Sequence, residues 1–269
     1  MIEGTPAEID KMLDEIESRL LALGAAVNRP VVDALYQRAL VALAQRAVGI
    51  FRGFTLLAAS EAPSAALALM RPAVEYNLTL RFLVARPDLH PDLWAAEGER
   101  QSLIMLREFV EDQELVARHQ GIDLTEPWVA EREQYIDEVR ARALAANVVG
   151  VGQKGPVLPG MQTIAVNHGD IATREAYTLA YRSLSATTHG GARAFNDGAF
   201  QEERPGWVTF VEELEGMRGN RALNASTFAS TLCVLSEPLE LGVLEEATIL
   251  KGALLQLKTV GEDAGQVDS

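Results

Sequence analysis

Between Val31 and Ala59 the apolar residues Leu35, Ala39, Leu43, Ala47, Ile50, Phe54 and Leu57 recur at intervals of three or four. That period lines one face of an α-helix, so the stretch reads as a long helix with one buried stripe. The segment before it, "TPAEIDKMLDEIESRLLALGAAV", places Thr5 at an N-cap, Pro6 at the first helical position and Glu8 where it closes a capping box. A helix start is predicted there. "SAALALMRPAVEYNLTLRFLVARP" is apolar almost all round, the pattern of a central helix, with Pro72 set to kink it or sit in its first turns and Pro87 to end it.

Two amphipathic helices are expected next, in "PDLWAAEGERQSLIMLREFVEDQELVARHQG" and "TEPWVAEREQYIDEVRARALAANV". The second has Thr125 as N-cap and a solvated charged face from Glu131 to Arg142. "GVGQKGPVLPG" matches GxGxxG in letters, but it follows a helix and runs into Pro156, so it reads as a mobile connection and not a phosphate cradle. "MQTIAVNHGD" reads as a short helix or turn with His168 in a loop, and "IATREAYTLAYRSLSATTHGG" as a helix ended by Gly190. Asn196, Asp197 and Gly198 supply a turn and a short hairpin. Two helices, Ala222 to Leu241 and Val243 to Leu257, precede a frayed tail.

The predicted fold is all-α, a bundle of about seven or eight helices with a C-terminal helical extension. Residues 1–30 carry an N-terminal helix, 31–191 a helical core with the polar motifs, and 192–269 a loop or hairpin plus the last helices. These read as parts of one domain.

Composition narrows the function classes. Hydrophobic residues make up 48% and charged residues 23%, so most of the chain should fold. A net charge of -14 repels nucleic-acid backbones and anionic lipid, which argues against coating DNA or RNA but leaves room for a small local phosphate site. Cys233 is the one cysteine, so neither an internal disulfide nor a Cys-rich zinc site is available. "MIEGTPAEID" lacks the pattern of a signal peptide, and no stretch approaches about 18 uninterrupted apolar residues. The expectation is a cytoplasmic protein without a membrane partner.

Some polar groups stand where polar groups are costly. Arg71 and Glu75 lie one turn apart in the most apolar helix, with the Arg first, the weaker order for a surface pair. They read either as a buried ion pair fixing helix register or as part of a site. In "YRSLSATTHGG", Arg182 and His189 return to nearly one helical face with Ser185 between them, beside Tyr181 and Tyr177. His189 before glycine is also favoured by the helix dipole, so capping is its plain reading. Glu-x-x-His pairs and a G-x-S-x-G elbow are both missing from the sequence, and Cys233 sits among apolar residues as a core group. His90 and His119 read as solvated residues at helix edges. No metal and no cofactor are expected.

"LMRPAVEYNLTLRFL" and "EAYTLAYRSLSATTHGG" together resemble the Arg-x-x-x-Glu and Tyr-x-x-Leu-Ser-x-x-x-His helices of a widespread bacterial family of uncharacterised helical proteins, over roughly Val31 to Gly191. The Arg182 to His189 element also resembles the HEPN superfamily of helical nucleotide-binding proteins and ribonucleases. That resemblance implies a dimer with two such helices facing one cleft and a role in defence or toxin systems. It also implies Arg182 stabilising a phosphorane and His189 handling the 2′-hydroxyl or leaving-group proton.

Two readings follow. One is a metal-independent endoribonuclease using Arg182 and His189, supported by Arg71, Glu75, Tyr177, Tyr181 and Ser185, with RNA or a nucleotide as ligand. The other is a non-catalytic helical module in which Arg71, Glu75, Tyr181 and His189 bind a small molecule or lock the core, and function lies at an interface with an unknown protein partner.

Overall fold

The computed structural model of the chain describes residues 6–28, 34–60, 63–111, 127–178, 200–204, 207–210 and 214–263. Among them the fold is all-α, with nine α-helices, two 3-10 helices and one hairpin. α1 spans Pro6–Gly24, α2 Leu35–Ala58, α3 Met70–Ala85, α4 His90–Glu111 and α5 Pro127–Ala145. α6 spans Met161–His168, α7 Ile171–Ala176, α8 Leu214–Ser236 and α9 Leu244–Asp263. The chain divides into two units, one of Met1–Arg81 with His168–Ser269 and one of Phe82–Asn167.

α2 buries Ala39, Leu43, Ala47 and Phe54 of its predicted stripe, and Leu40, Ala44 and Phe51 beside them widen the apolar face. Leu35, Ile50 and Leu57 are half-buried. α2 has the length and apolar content of a membrane span, with mean hydropathy 1.4 over 18 residues, although Arg38, Arg46 and Arg52 interrupt it. A core helix passes the same test, and 39% of that window is buried inside the protein.

In the first unit α8 packs against α1, α2 and α9. Leu13, Ile16 and Leu20 of α1, Ala225, Phe228, Ala229, Leu232 and Leu235 of α8, and Ala247, Leu250 and Leu254 of α9 form its core with α2. Phe51 and Phe228 stack with ring centroids 4.4 Å apart. Each fully buried Phe or Leu contributes roughly 1.5–3 kcal/mol. At one end of α8, Arg221 reaches α1, with Nε 3.2 Å and a terminal nitrogen 2.8 Å from the two oxygens of Glu17.

Pro72 decides how α3 begins. Its ring and missing N–H prevent a regular α-turn back to residue 68, and the chain from Pro63 to Leu69 is wound as a 3-10 helix, with α geometry starting at Met70. From Asn77 to Leu80, and again at Phe82 and Leu83, α3 is buried, as its all-round apolar sequence predicts.

In the second unit α4 and α5 run antiparallel and are laced by Arg142–Asp92, Arg132–Glu99 and Arg107–Glu133. The outer face of α5 is exposed, as read from the sequence, while Val129, Ile136, Val139 and Ala143 are buried. The glycine-rich segment after α5 is pinned, not a mobile connection. Arg140 donates to the carbonyls of Gly152 and Gly155 at 3.2 and 3.0 Å, and Val157 N–H donates to Glu97 at 2.8 Å. Gly150 has φ +89°, and a Cβ there would lie 3.0 Å from the Thr163 methyl, so a side chain would be strained.

Other local expectations change as well. His90 is 3% exposed rather than solvated; its ring stacks on Phe82 at 3.7 Å and Nδ1–H donates to the Phe82 carbonyl. His168 ends α6 instead of standing in a loop, and Cys233 is half-exposed, 3.6 Å from Thr248 Oγ1, instead of core. The hairpin pairs Phe200–Arg204 with Trp207–Phe210, Phe200 opposite Phe210. Only Pro205 and Gly206 separate the two strands in sequence. Both strands follow Asn196 to Gly198, which lie outside the described residues. α8 begins eight residues before the predicted Ala222, at Leu214, and α9 runs to Asp263.

Candidate functional site

Tyr181, Arg182, Ser185 and His189 lie outside the described residues, as does His119. Their convergence with Arg71 and Glu75 therefore lies outside them too. Arg71 and Glu75 form an i,i+4 ion pair, Nε to Oε1 3.2 Å, with side chains 28% and 33% exposed. Tyr177 is half-buried where the helix carrying it widens: the last described turn, at Tyr177 and Thr178, has the π form. Thr178 Oγ1 donates to the Arg174 carbonyl at 2.9 Å.

The structure assembles a polar cluster that sequence reasoning missed. It starts at Asn77, whose side chain is fully buried on α3. Its Nδ2 donates to Thr231 Oγ1 on α8 at 2.9 Å, and its Oδ1 accepts from Arg81 Nε at 3.1 Å and from Thr173 Oγ1 on α7 at 3.4 Å. A buried amide is tolerated when both ends are bonded in this way. Arg81, one turn on, donates a terminal N–H to Ser230 on α8 and to Asp170 Oδ2 at 2.7 Å. Lys251 of α9 donates to the same Oδ2 at 3.0 Å.

Asp170 is also the N-cap of α7, with extended backbone at φ -70°, ψ 176°, and its Oδ1 accepts from Thr173 N–H at 2.8 Å. Capping satisfies one of the orphan donors of the first turn, and a carboxylate there is favoured by the helix dipole. Burial pushes the Asp170 carboxyl up, but Thr173, Lys251 and Arg81 together outweigh it and hold it well below the usual carboxylate range. The group is ionised at neutral pH with both oxygens engaged, so it can clamp but not exchange protons.

His168, two residues earlier, is half-buried, and burial pushes its imidazole below the usual range. Two turns before Thr231 on α8, Asn224 is 1% exposed, with neither end of its amide bonded among the described residues. Those residues include no group of three or more His, Cys, Asp or Glu side chains placed to hold a metal.

A signal for the cluster was present. Arg81 stands in the same apolar helix as Arg71, and the demand that a charge there find a partner applies to both. Its distant partners come from positions 170 and 230, and Lys251 joins them through Asp170; no local pattern connects these positions.

The profile of a family described as "Family of unknown function (DUF5677)" matches residues 37–206. Asn77, Arg81, Asp170 and Thr173 lie inside that span, and Ser230, Thr231 and Lys251 beyond it. Neither the curated proteins nor the solved structures provide a match.

Proposed function

We propose the following for this chain, which belongs to the DUF5677 family: it is a HEPN-like, metal-independent endoribonuclease in a defence or toxin-type system. Arg182 and His189 are its reacting groups, and Arg71, Glu75, Tyr177, Tyr181 and Ser185 support them. The observation that carries the reading is the clamped start of α7. The sequence element Arg182-x6-His189 follows Asp170 along one predicted helix, and Asp170 is tied to α3 and α9 through Arg81 and Lys251. A reacting pair needs a rigid base if its groups are to stay aligned with a phosphodiester.

The chemistry follows from the residue types. His189 takes the 2′-hydroxyl proton as the 2′-oxygen bonds to phosphorus, and gives that proton to the departing 5′-oxygen as the P–O5′ bond breaks. Arg182 stabilises the charge building on the phosphorane oxygens. The products are a 2′,3′-cyclic phosphate and a 5′-hydroxyl, with atoms and protons balanced and no metal required. A net charge of -14 confines RNA contact to this local site. A homodimer and a cytoplasmic setting belong to the same proposal.

The second reading, a non-catalytic module binding a small molecule or protein partner, is favoured by one observation. Arg71 and Glu75 already pair with each other, and Asn77 and Arg81 are committed to α7 and α8. The test is incubation of a mixed-sequence RNA pool with the full chain in excess chelator. Cleavage leaving cyclic phosphate ends supports the ribonuclease, and an intact pool favours the module.

A further inference from the structure

α7 is six residues long. Tyr177 and Thr178 continue it in π form. Among the described residues its ties are mainly polar: the Asp170 cap, Thr173 on Asn77, and the contacts of Asp170 with α3 and α9. Ala176 adds one small buried side chain.

Arg81 and Lys251 meet on a single oxygen, Oδ2 of Asp170, at 2.7 and 3.0 Å. Their side chains are 15% and 19% exposed. Two cations drawn that close repel each other as soon as the carboxylate leaves, so the placement of both depends on Asp170. Arg81 has Asn77 and Ser230 as further partners, whereas the hydrogen bond to Asp170 is the described tie between Lys251 and α7. Lys251 thus couples α9 to the start of α7 without anchoring the core.

We propose that Asp170 is a positioning residue and that Lys251 makes α9 part of the device that orders α7. The inference rests on the ribonuclease reading for what is positioned: Tyr177 and, further along the sequence, Arg182 and His189. Asp170 has both carboxylate oxygens engaged, by Thr173 on one and by Arg81 and Lys251 on the other. It fixes where the helix starts, and a misplaced start carries every later side chain with it.

The experiment uses the full chain as wild type, Lys251→Met, Lys251→Arg and Asp170→Asn. Amide hydrogen exchange is read at Thr173 to Thr178 and, as an internal control, in α2, beside kcat and KM on the RNA pool. Lys251→Met keeps the apolar stem and leaves Asp170 neutralised by Arg81, so α2 should exchange as in wild type. Exchange at Thr173 to Thr178 should quicken by about tenfold or more in Lys251→Met and Asp170→Asn, with kcat falling about tenfold at KM within about twofold. Lys251→Arg should restore both readouts. Unchanged exchange at α7, or equal acceleration in α2, overturns the inference, as does an unaltered kcat in a cleaving enzyme. An inactive wild type with the local exchange response removes the ribonuclease reading and upholds the coupling of α9 to α7.

Discussion

Arg81 and Asp170 are 89 positions apart in sequence and 2.7 Å apart in the fold, joined by a charge-assisted hydrogen bond between α3 and the first turn of α7. Lys251 completes the arrangement from α9. Because Asp170 is both ion-pair partner and N-cap, its two roles separate by substitution. Asp170→Asn keeps a capping side chain and removes the charge, leaving two cations without their anion. It should cost about 2–3 kcal/mol, less than a fully buried pair because Asp170 is partly open to solvent. Asp170→Ala should cost about 1 kcal/mol more for the lost cap. Denaturant melts of both variants check the order, and equal losses would assign the whole effect to one role.

The same residue sets a pH dependence. The folded-state pKa of Asp170 is depressed, so its contribution is present above the unfolded carboxylate value near 3.9 and is lost as pH falls toward the folded value. The stability of Asp170→Asn relative to wild type should therefore drop between about pH 2 and pH 5 and stay level above that. Melts at about pH 2 and pH 5 read the difference directly.

Glu17 should show the opposite slope. Burial pushes its carboxyl up, against the pull of Arg221, so its contribution is full below the unfolded value and is lost as pH rises through the folded one. Glu17→Gln should gain on wild type from about pH 4 to pH 7, and cost under about 1 kcal/mol at neutrality because Arg221 retains Asp14. A steeper loss at pH 7 than at pH 4 would mean that attraction to Arg221 outweighs desolvation.

Glu97 anchors the segment after α5. Burial alone would raise its carboxyl, yet hydrogen bonds from Arg100, Gln101 and Val157 hold it below the usual range. Glu97→Ala leaves the buried Val157 N–H and Arg100 without that acceptor and should cost about 2–3 kcal/mol. Limited proteolysis between Gly150 and Gly160 should accelerate in the variant. Unchanged cleavage there would show that Arg140 alone holds the loop.

Much of the helical fold was legible in sequence because it rests on local rules. The three-to-four period of α2, the apolar girth of α3 and the block at Pro72 each act within a few residues. What was not legible depends on distant partners. His90 reads as a solvated helix edge until Phe82 lies flat against it, and "GVGQKGPVLPG" reads as loose until a carboxylate 60 positions away takes Val157 N–H. Arg81 carried the same signal as Arg71, an ionised group in an apolar helix, but only folding reveals which carboxylate answers it.

The most direct measurement compares cleavage of a mixed RNA pool by wild type, His189→Ala and Arg182→Ala in excess chelator, with thermal melts of all three. If His189 and Arg182 are the reacting groups, wild type leaves cyclic phosphate ends and each substitution lowers the rate at least about a hundredfold. Stability should fall by no more than the roughly 1 kcal/mol of a helix-end interaction. An inactive wild type, with a large fall in melting temperature in His189→Ala, would contradict the account and leave His189 as a structural residue of a binding module.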